Sequence, residues 1–390
     1  MPDVAIVGGG IIGAACAHEL TGAGATVTLI ERDGLAAGAS GRNAGWLVTP
    51  HDPTTLAMGR ISIETYLELA ERTPLPVFID REPIGHLVVA RTERELAAGR
   101  AALDTAAATS GITVEPLDGA ALRSVEPAMT AAVAGAWLAQ DGRRVDPASL
   151  TVGLALLARE AGADVRHHVA VRAIATHGER VIGVVTDDGR IDADHVIVAA
   201  GPWSGTLLEP IGVSLPLVGA RGWLVRVDGA PDAIHHLVQE VDLYGDRRNE
   251  PGTSPPTVHE ALDRGLPPGT SGVGLHPHPD GSVRLGSSRQ PWLTPEPEDA
   301  AMVRQILRNA MDLYPTLADA TVSSSWWGLR PMTPDERPTI GMVNDGLIVA
   351  TGHGSEGVIL GAGTARLVAA MVAGAEPPFD PGPFDPFRFG

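Results

Sequence analysis

The segment Val4-Ala5-Ile6-Val7-Gly8-Gly9-Gly10-Ile11-Ile12-Gly13 constrains this chain more than any other. Four apolar residues read as a short buried strand, the glycines as a tight turn, and residues 11–21 as a helix. Gly8 permits the turn, Gly10 lets backbone approach a pyrophosphate, and Gly13 lets the helix pack close to the strand. The first N–H groups of that helix, at Ile11 and Ile12, have no partner within it and are placed to face phosphate oxygens. A second apolar strand, 26–30, ends in Glu31. A carboxylate there, about 20 residues beyond the glycines, accepts the hydroxyls of an adenosine ribose. Flanked by two strands and followed by this acid, the glycines predict a dinucleotide site and not merely a structural turn.

Residues 32–45 are polar, glycine-rich and short-sided. They cannot be core, and they suit backbone lying against a large flat ligand and its phosphates. Arg32, Ser40, Arg42, Asn43, Ala44 and Gly45 are the candidate contacts; a plain surface loop is the alternative. A helix follows over 53–72, with Leu56, Ile63, Leu67 and Ala70 on one face. The block 81–145 holds a strand at 84–90, a helix at 93–110 and a strand at 132–138, with no phosphate loop. Asp146 caps and Pro147 opens the next helix. Val165, Val169 and Val171 read as one strand whose backbone meets the adenine end of the cofactor. The apolar strand from His195 ends in Ala200, Gly201 and Trp203, small enough in its backbone to approach a ligand. Residues 240–272 are rich in proline and glycine and read as a long loop over the pocket, with Tyr244 a candidate substrate contact. A strand at 323–327 delivers Gly328-Leu329-Arg330-Pro331. The strand 347–350 runs into a second glycine turn, Gly352-His353-Gly354-Ser355-Glu356-Gly357, and a helix whose N-terminus is aimed at an anionic group. The tail after Ala375 is expected to be loosely held.

Composition removes several classes of function. There are 47 acidic residues against 29 basic ones, a formal charge of -18, which opposes nucleic acid or an anionic membrane as partner. Every basic side chain is arginine. With no lysine, Schiff-base chemistry and a lysine charge over a cofactor are unavailable. The one cysteine, Cys16, lies on the first helix and reads as core. No charged leader precedes the first strand and no apolar run is long enough to span a bilayer, so a cytoplasmic protein without an integral membrane segment is expected. Homo-oligomerisation is compatible with all of this.

Taken together, these segments resemble the FAD-dependent D-amino-acid oxidase family. The branch is the one holding glycine and sarcosine oxidases, D-amino-acid dehydrogenase, and flavoprotein subunits acting on proline or glycine. The matching pieces are 8–13 with Glu31, 38–45, 196–204, 283–289, 328–335 and 352–367, nearly the whole chain in family order. The resemblance implies an α/β fold: a Rossmann-like FAD-binding domain interleaved with a mixed α+β substrate-binding domain, the isoalloxazine between them. The FAD domain would take 1–80, 146–215 and 331–375, the substrate domain 81–145 and 216–330, with 376–390 a tail.

The resemblance also implies that Arg330 binds the substrate carboxylate. A fork of donors at a strand end suits that task, a structural salt bridge being the alternative. Glycine oxidase places another arginine where this chain has Ser355. Some branches attach flavin through a histidine in the early loop or a late cysteine; here Asn43 stands near the first place and Cys16 is the only thiol, so FAD is expected to be noncovalent. The implied reaction oxidises the C–N bond of a D-amino acid or glycine-like amino acid. Hydride passes to flavin N5, and the imine hydrolyses to a keto acid and an amine. His353 would tune the flavin or assist proton movement, and His51 would reach the pocket, each with a structural role as the alternative. His276 and His278 alone give no metal geometry. The competing readings are oxidation of N-methyl or cyclic secondary amino acids, of sarcosine or proline type, and a non-catalytic FAD-binding subunit. Oxygen is preferred to a quinone or other carrier as electron acceptor, with an arginine or a protonated His353 supplying charge near the ring.

Overall fold

A computed structural model describes residues 2–50, 52–72, 77–178, 180–230, 234–241, 270–291 and 300–389. The strand Asp3–Val7 lies inside a six-stranded sheet ordered Thr339–Asn344, Leu347–Thr351, His195–Val198, Asp3–Val7, Thr26–Ile30, Asp164–Arg166. Every pair is parallel except the first two strands, which run antiparallel. Strands buried on both faces must be apolar throughout, which is why Val4, Ala5, Ile6 and Val7 are all buried. On one face Ile6, Leu29, Ile197 and Ile348 pack with the helices Ile11–Gly22, Pro147–Glu160 and Gly357–Ala373. On the other, Ala5, Val7, Val196 and Val349 pack with a three-stranded antiparallel sheet, Val171–His177, Arg180–Thr186 and Gly189–Asp192.

A second sheet has eight strands, ordered Thr321–Met332, Val218–Asp228, Val283–Pro291, Thr270–Pro277, Leu237–Glu240, His86–Ala90, Gly135–Ala139, Val114–Leu117. Only Leu237–Glu240 and His86–Ala90 pair in parallel among these. The helix Ala300–Leu313 turns a stripe of Met302, Ile306, Ala310 and Leu313 onto one face, against Trp223, Val225 and Leu285. The opposite face looks towards the six-stranded sheet. At its far end the helix Glu93–Ser110 covers it, through Leu103 on Val88, Ala90 and Trp137.

Three sequence expectations change. Val165, Val169 and Val171 do not share a strand: Asp164–Arg166 ends first, His168 takes a positive φ of 60°, and the Val169 N–H turns aside to the Glu31 carbonyl at 2.9 Å. The strands Val114–Leu117 and Thr339–Asn344 were hidden by Pro116 and by a turn-rich surround. The tail is docked and not loose. Phe384 is fully buried, and Arg388 forks Asp335 through Nε and Nη2 at 2.9 and 3.0 Å. Two aromatic rings supply burial that its proline- and aspartate-rich composition conceals. The expected loop at 240–272 falls mostly outside the described residues.

Candidate active site

The glycine turn is built as its spacing requires. Gly8 has φ +115°, and a β-carbon there would meet the Ala199 carbonyl oxygen at 2.4 Å; on Gly13 one would meet the Gly8 carbonyl oxygen at 1.9 Å. Glu31 Oε2 accepts the Gly9 N–H at 2.6 Å and Oε1 the Asp33 N–H at 2.8 Å. Each oxygen keeps a second lone pair for a ribose hydroxyl. Ser40 stands over Gly10 and accepts the Ile11 N–H at 2.9 Å. Of the two helix-start donors expected at the phosphates, Ile11 is therefore already engaged, and Ile12 lines the cavity beside it. Arg32 stacks over Trp203 at 4.2 Å, next to Val169, Ala200 and Gly201.

The early loop holds itself together. Asn43 Nδ2 donates to the Ala39 and Ser40 carbonyls at 3.1 and 2.9 Å, and its Oδ1 accepts the Gly45 N–H at 3.0 Å. The Asn43 amide is thus spent on shaping the loop, whose backbone at Asn43, Ala44 and Gly45 lines the cavity. Arg42 reaches across to the second sheet and donates to the Trp327 carbonyl at 3.3 Å.

The late turn closes the other side. Gly352 and Gly354 adopt φ +76° and +54°, and the Gly354 N–H donates to the Pro331 carbonyl at 2.9 Å, tying this turn to the strand that carries Arg330. His353 is buried, with Nε2 2.9 Å from Thr364 Oγ1; burial pulls its pKa down to about 3. The ring is neutral, so a protonated His353 cannot supply the charge expected of it. Ser355 is exposed. Glu356 occupies the N-cap of the helix Gly357–Ala373 without its side chain capping it, and burial, then Asp52 and Glu336, push its carboxyl up to about 7.

Arg330 projects from Thr321–Met332 across the face of the eight-stranded sheet. Its Nη1 donates to the Ser288 carbonyl at 2.9 Å. A β-carbon on Gly222 would meet Nη1 at 2.0 Å, so the guanidinium lies directly over that glycine. Nearby, Arg289 pairs with Glu336 at 2.5 Å. His51 and Tyr244 lie outside the described residues.

A cavity of about 990 Å³ runs between the two sheets and joins these parts. It lies at the upper end of the range of small-molecule sites. Its nucleotide half has a side-chain-free turn, a ribose carboxylate and two helix starts, a donor set that fits FAD. Cys16 is fully buried and its thiol is pushed up to about 12 by burial, so it offers no attachment point. The other end holds a cluster that the sequence did not bring together: Trp46 lies between His86 and His276, at ring distances of 4.7 and 4.5 Å. Alternation along 86–90 would have put His86 on the face of Val88, but its meeting with His276 depends on a strand inserted between theirs.

The family model for the FAD dependent oxidoreductase (DAO) family matches residues 3–371. The chain is 31% identical over 404 residues to a glycine oxidase of Pseudomonas aeruginosa, covering 98% of both chains. It is 33% identical over 396 residues to a 4-methylaminobutanoate oxidase (formaldehyde-forming) of Paenarthrobacter nicotinovorans, covering 98% of this chain but 45% of that one. A crystal structure of glycine oxidase from Geobacillus kaustophilus superposes with TM-score 0.84 at 27% identity, covering 99% of this chain and 98% of the other. The chain belongs to the FAD-dependent oxidoreductase (DAO) family. It is an FAD-dependent enzyme that oxidises the C–N bond of amino acids, and the FAD is noncovalent. Among the described residues no helix is long and apolar enough to cross a membrane.

Proposed function

We propose that the substrate is an α-amino acid, a D-amino acid or a glycine-like one, held by its carboxylate on Arg330 and oxidised to an imine that hydrolyses to a keto acid and an amine. The observation that carries this reading is the position of Arg330. Its guanidinium is anchored at one end by the Ser288 carbonyl and lies over Gly222, at the wall of the cavity facing the early and late loops. A planar fork of donors fixed there pairs with a carboxylate and sets the orientation of the carbon next to it.

Bound FAD supplies the two-electron acceptor for the Cα–H. The chain's own contribution is positional. The turns at Gly8 and Gly352 and the loop at 39–45 hold the cofactor; Arg330 holds the substrate; the neutral His353 buttresses the late turn from Thr364. No side chain is required as a general base when the amine arrives neutral. Oxygen is the acceptor in this reading. A second reading is N-methyl or cyclic secondary amino acids, of sarcosine or proline type; the likeness to 4-methylaminobutanoate oxidase favours its N-methyl half.

The test is anaerobic mixing of the purified holoenzyme with a panel of glycine, D- and L-amino acids, sarcosine and proline, following loss of flavin colour. Bleaching by a primary D-amino acid or glycine supports the first reading, and bleaching by sarcosine or proline alone the second. Equal reduction by amines lacking a carboxylate would remove Arg330 from its role.

A further inference from the structure

The eight-stranded sheet carries an in-register row across its cavity face: Trp326, Leu224, Gly286, Gly274, Gln239, Val88. Two adjacent glycines leave a dip in that row. Trp46, from the short strand Trp46–Leu47 that follows the early loop, lies over it: a β-carbon on Gly274 would stand 3.6 Å from Trp46 Cζ2. The indole is held on both sides, edge-on to His86 with an interplanar angle of 74° and tilted at 57° to His276. Both histidines are about one-twentieth exposed, at 4% and 5%. His276 is held neutral, first by burial and then by Arg284. Leu224, Val88 and Val241 complete this end of the lining. The charged lining residues stand elsewhere in the cavity: Glu31, Arg32 and Asp33 follow the nucleotide strand, Arg42 reaches Trp327, and Arg330 lies over Gly222.

The wall stands at a definite remove from the carboxylate site. The Arg330 guanidinium lies over Gly222, two strands away from Gly274 and offset by one side-chain repeat along the strand, on the order of 12 Å on ordinary strand spacings. A carboxylate pairing with Arg330 takes up about 4 Å of that. Glycine does not cross the remainder; a planar or branched substituent on Cα or on the nitrogen does, and it meets an indole flanked by two buried imidazole rings there. A second carboxylate would be desolvated against the same wall, where the neighbouring cation, Arg284, is already engaged by Asp146 and the Ala44 carbonyl.

We infer that Trp46, flanked by His86 and His276, is the specificity wall of this enzyme and selects amino monocarboxylates bearing a flat apolar substituent over glycine and over amino dicarboxylates. The inference rests on the carboxylate assignment of Arg330. It is tested by titrating the holoenzyme with three unreactive probes, acetate, phenylacetate and glutarate, and reading the perturbation of the flavin absorption spectrum. In the native enzyme phenylacetate binds about tenfold or more tighter than acetate, the return expected for burying a ring, and glutarate binds no tighter than acetate. Trp46→Ala cuts the phenylacetate advantage to less than about threefold while acetate holds its affinity, and Trp46→Phe keeps most of it. Equal binding of acetate and phenylacetate, preference for glutarate, or an unchanged advantage in Trp46→Ala overturns the wall. These native-enzyme ratios decide the matter even if Trp46→Ala fails to fold. Acetate binding that is absent, or indifferent to Arg330→Ala, sinks the carboxylate assignment instead. Acetate bound through Arg330 without any phenyl advantage sinks the wall alone.

Discussion

The space beside the Gly222 α-carbon belongs to Arg330. A β-carbon on Gly222 would lie 2.0 Å from Nη1 and 2.6 Å from Cζ, so only glycine lets the guanidinium lie flat on the sheet and reach Ser288. Gly222→Ala should push the fork off this seat without touching the nucleotide half of the cavity. Losing one oriented hydrogen bond to a charged group weakens acetate binding about tenfold, or roughly 1.4 kcal/mol. Arg330→Ala costs more, on the order of 2–5 kcal/mol. Flavin content and acetate titration of both variants check this. Native acetate affinity in Gly222→Ala would mean that Arg330 does not hold the carboxylate.

How much of this was legible beforehand depends on the range of the interactions. The turn at Gly8 and Gly13 was, because strand, turn and helix are adjacent in sequence and each glycine answers a local steric demand. Glu31 was for the same reason. Arg330 was read from its short motif, but its seat was not: Gly222 lies on another strand and its pairing with Gly328 is non-local. Trp46, His86 and His276 meet only because Leu237–Glu240 separates the two histidine strands. The engagement of Asn43 and Ile11 within the loop depends on backbone path, which residue types do not disclose. Nor does a histidine in a glycine turn disclose that it will be buried and neutral, as His353 is.

Glu126 should matter for stability and not for chemistry. It is fully buried. Its Oε1 accepts the His235 and His236 N–H groups, both at 2.9 Å, and lies 2.7 Å from His236 Nδ1, while Oε2 accepts the Tyr314 hydroxyl at 2.9 Å. This one carboxylate ties the short helix Gly119–Val125 to the end of Ala300–Leu313. Glu126→Ala strands two part-buried backbone N–H groups and the buried Tyr314 hydroxyl and should cost about 3 kcal/mol or more; Tyr314→Phe, which removes one bond, should cost about 1 kcal/mol. Thermal unfolding of the two variants gives the comparison. A Glu126→Ala loss no larger than that of Tyr314→Phe would show that the cluster does not act as described.

Glu356 gives the apoprotein a pH-dependent weakness. Its carboxyl is raised from 4.5 to about 7, first by burial and then by Asp52 and Glu336. The unfolded chain releases this proton at the lower value and the folded chain at the higher one. Between them the folded state binds more protons, so this group's effect is that stability falls as pH rises from about 4.5 to about 7, and levels off above. Arg337 and Arg289 already pair with Asp52 and Glu336 and do not relieve it. Glu356→Gln removes the ionisation. Its melting temperature should exceed that of the native apoprotein by a margin that widens from pH 5 to about 7.5. A margin that is flat with pH would place the titration elsewhere.

The electron acceptor turns on where positive charge stands once the product has left. The chain has no lysine. His353 is held neutral by burial, with its pKa lowered to about 3, and cannot carry a proton near neutral pH. Of the other arginines among the described lining residues, Arg32 lies over Trp203, Arg42 donates to the Trp327 carbonyl and Arg172 forks Asp187. If Arg330 holds the carboxylate as proposed, departure of the product turns its charge back towards the cavity, where it would stabilise developing superoxide. Reduced enzyme should therefore reoxidise in air-saturated buffer with peroxide formed in step. Saturating acetate, by neutralising Arg330, should slow this by about tenfold or more, and Arg330→Gln should do the same permanently. Reaction with an artificial quinone or dye should change much less in both cases, because that acceptor develops its charge over a larger ring. The measurement is rapid mixing of photoreduced enzyme with oxygen and with dye, with and without acetate. Oxygen reoxidation far slower than dye reoxidation in the ligand-free native enzyme would make this a dehydrogenase, and insensitivity of the oxygen rate to acetate would detach Arg330 from that half of the cycle.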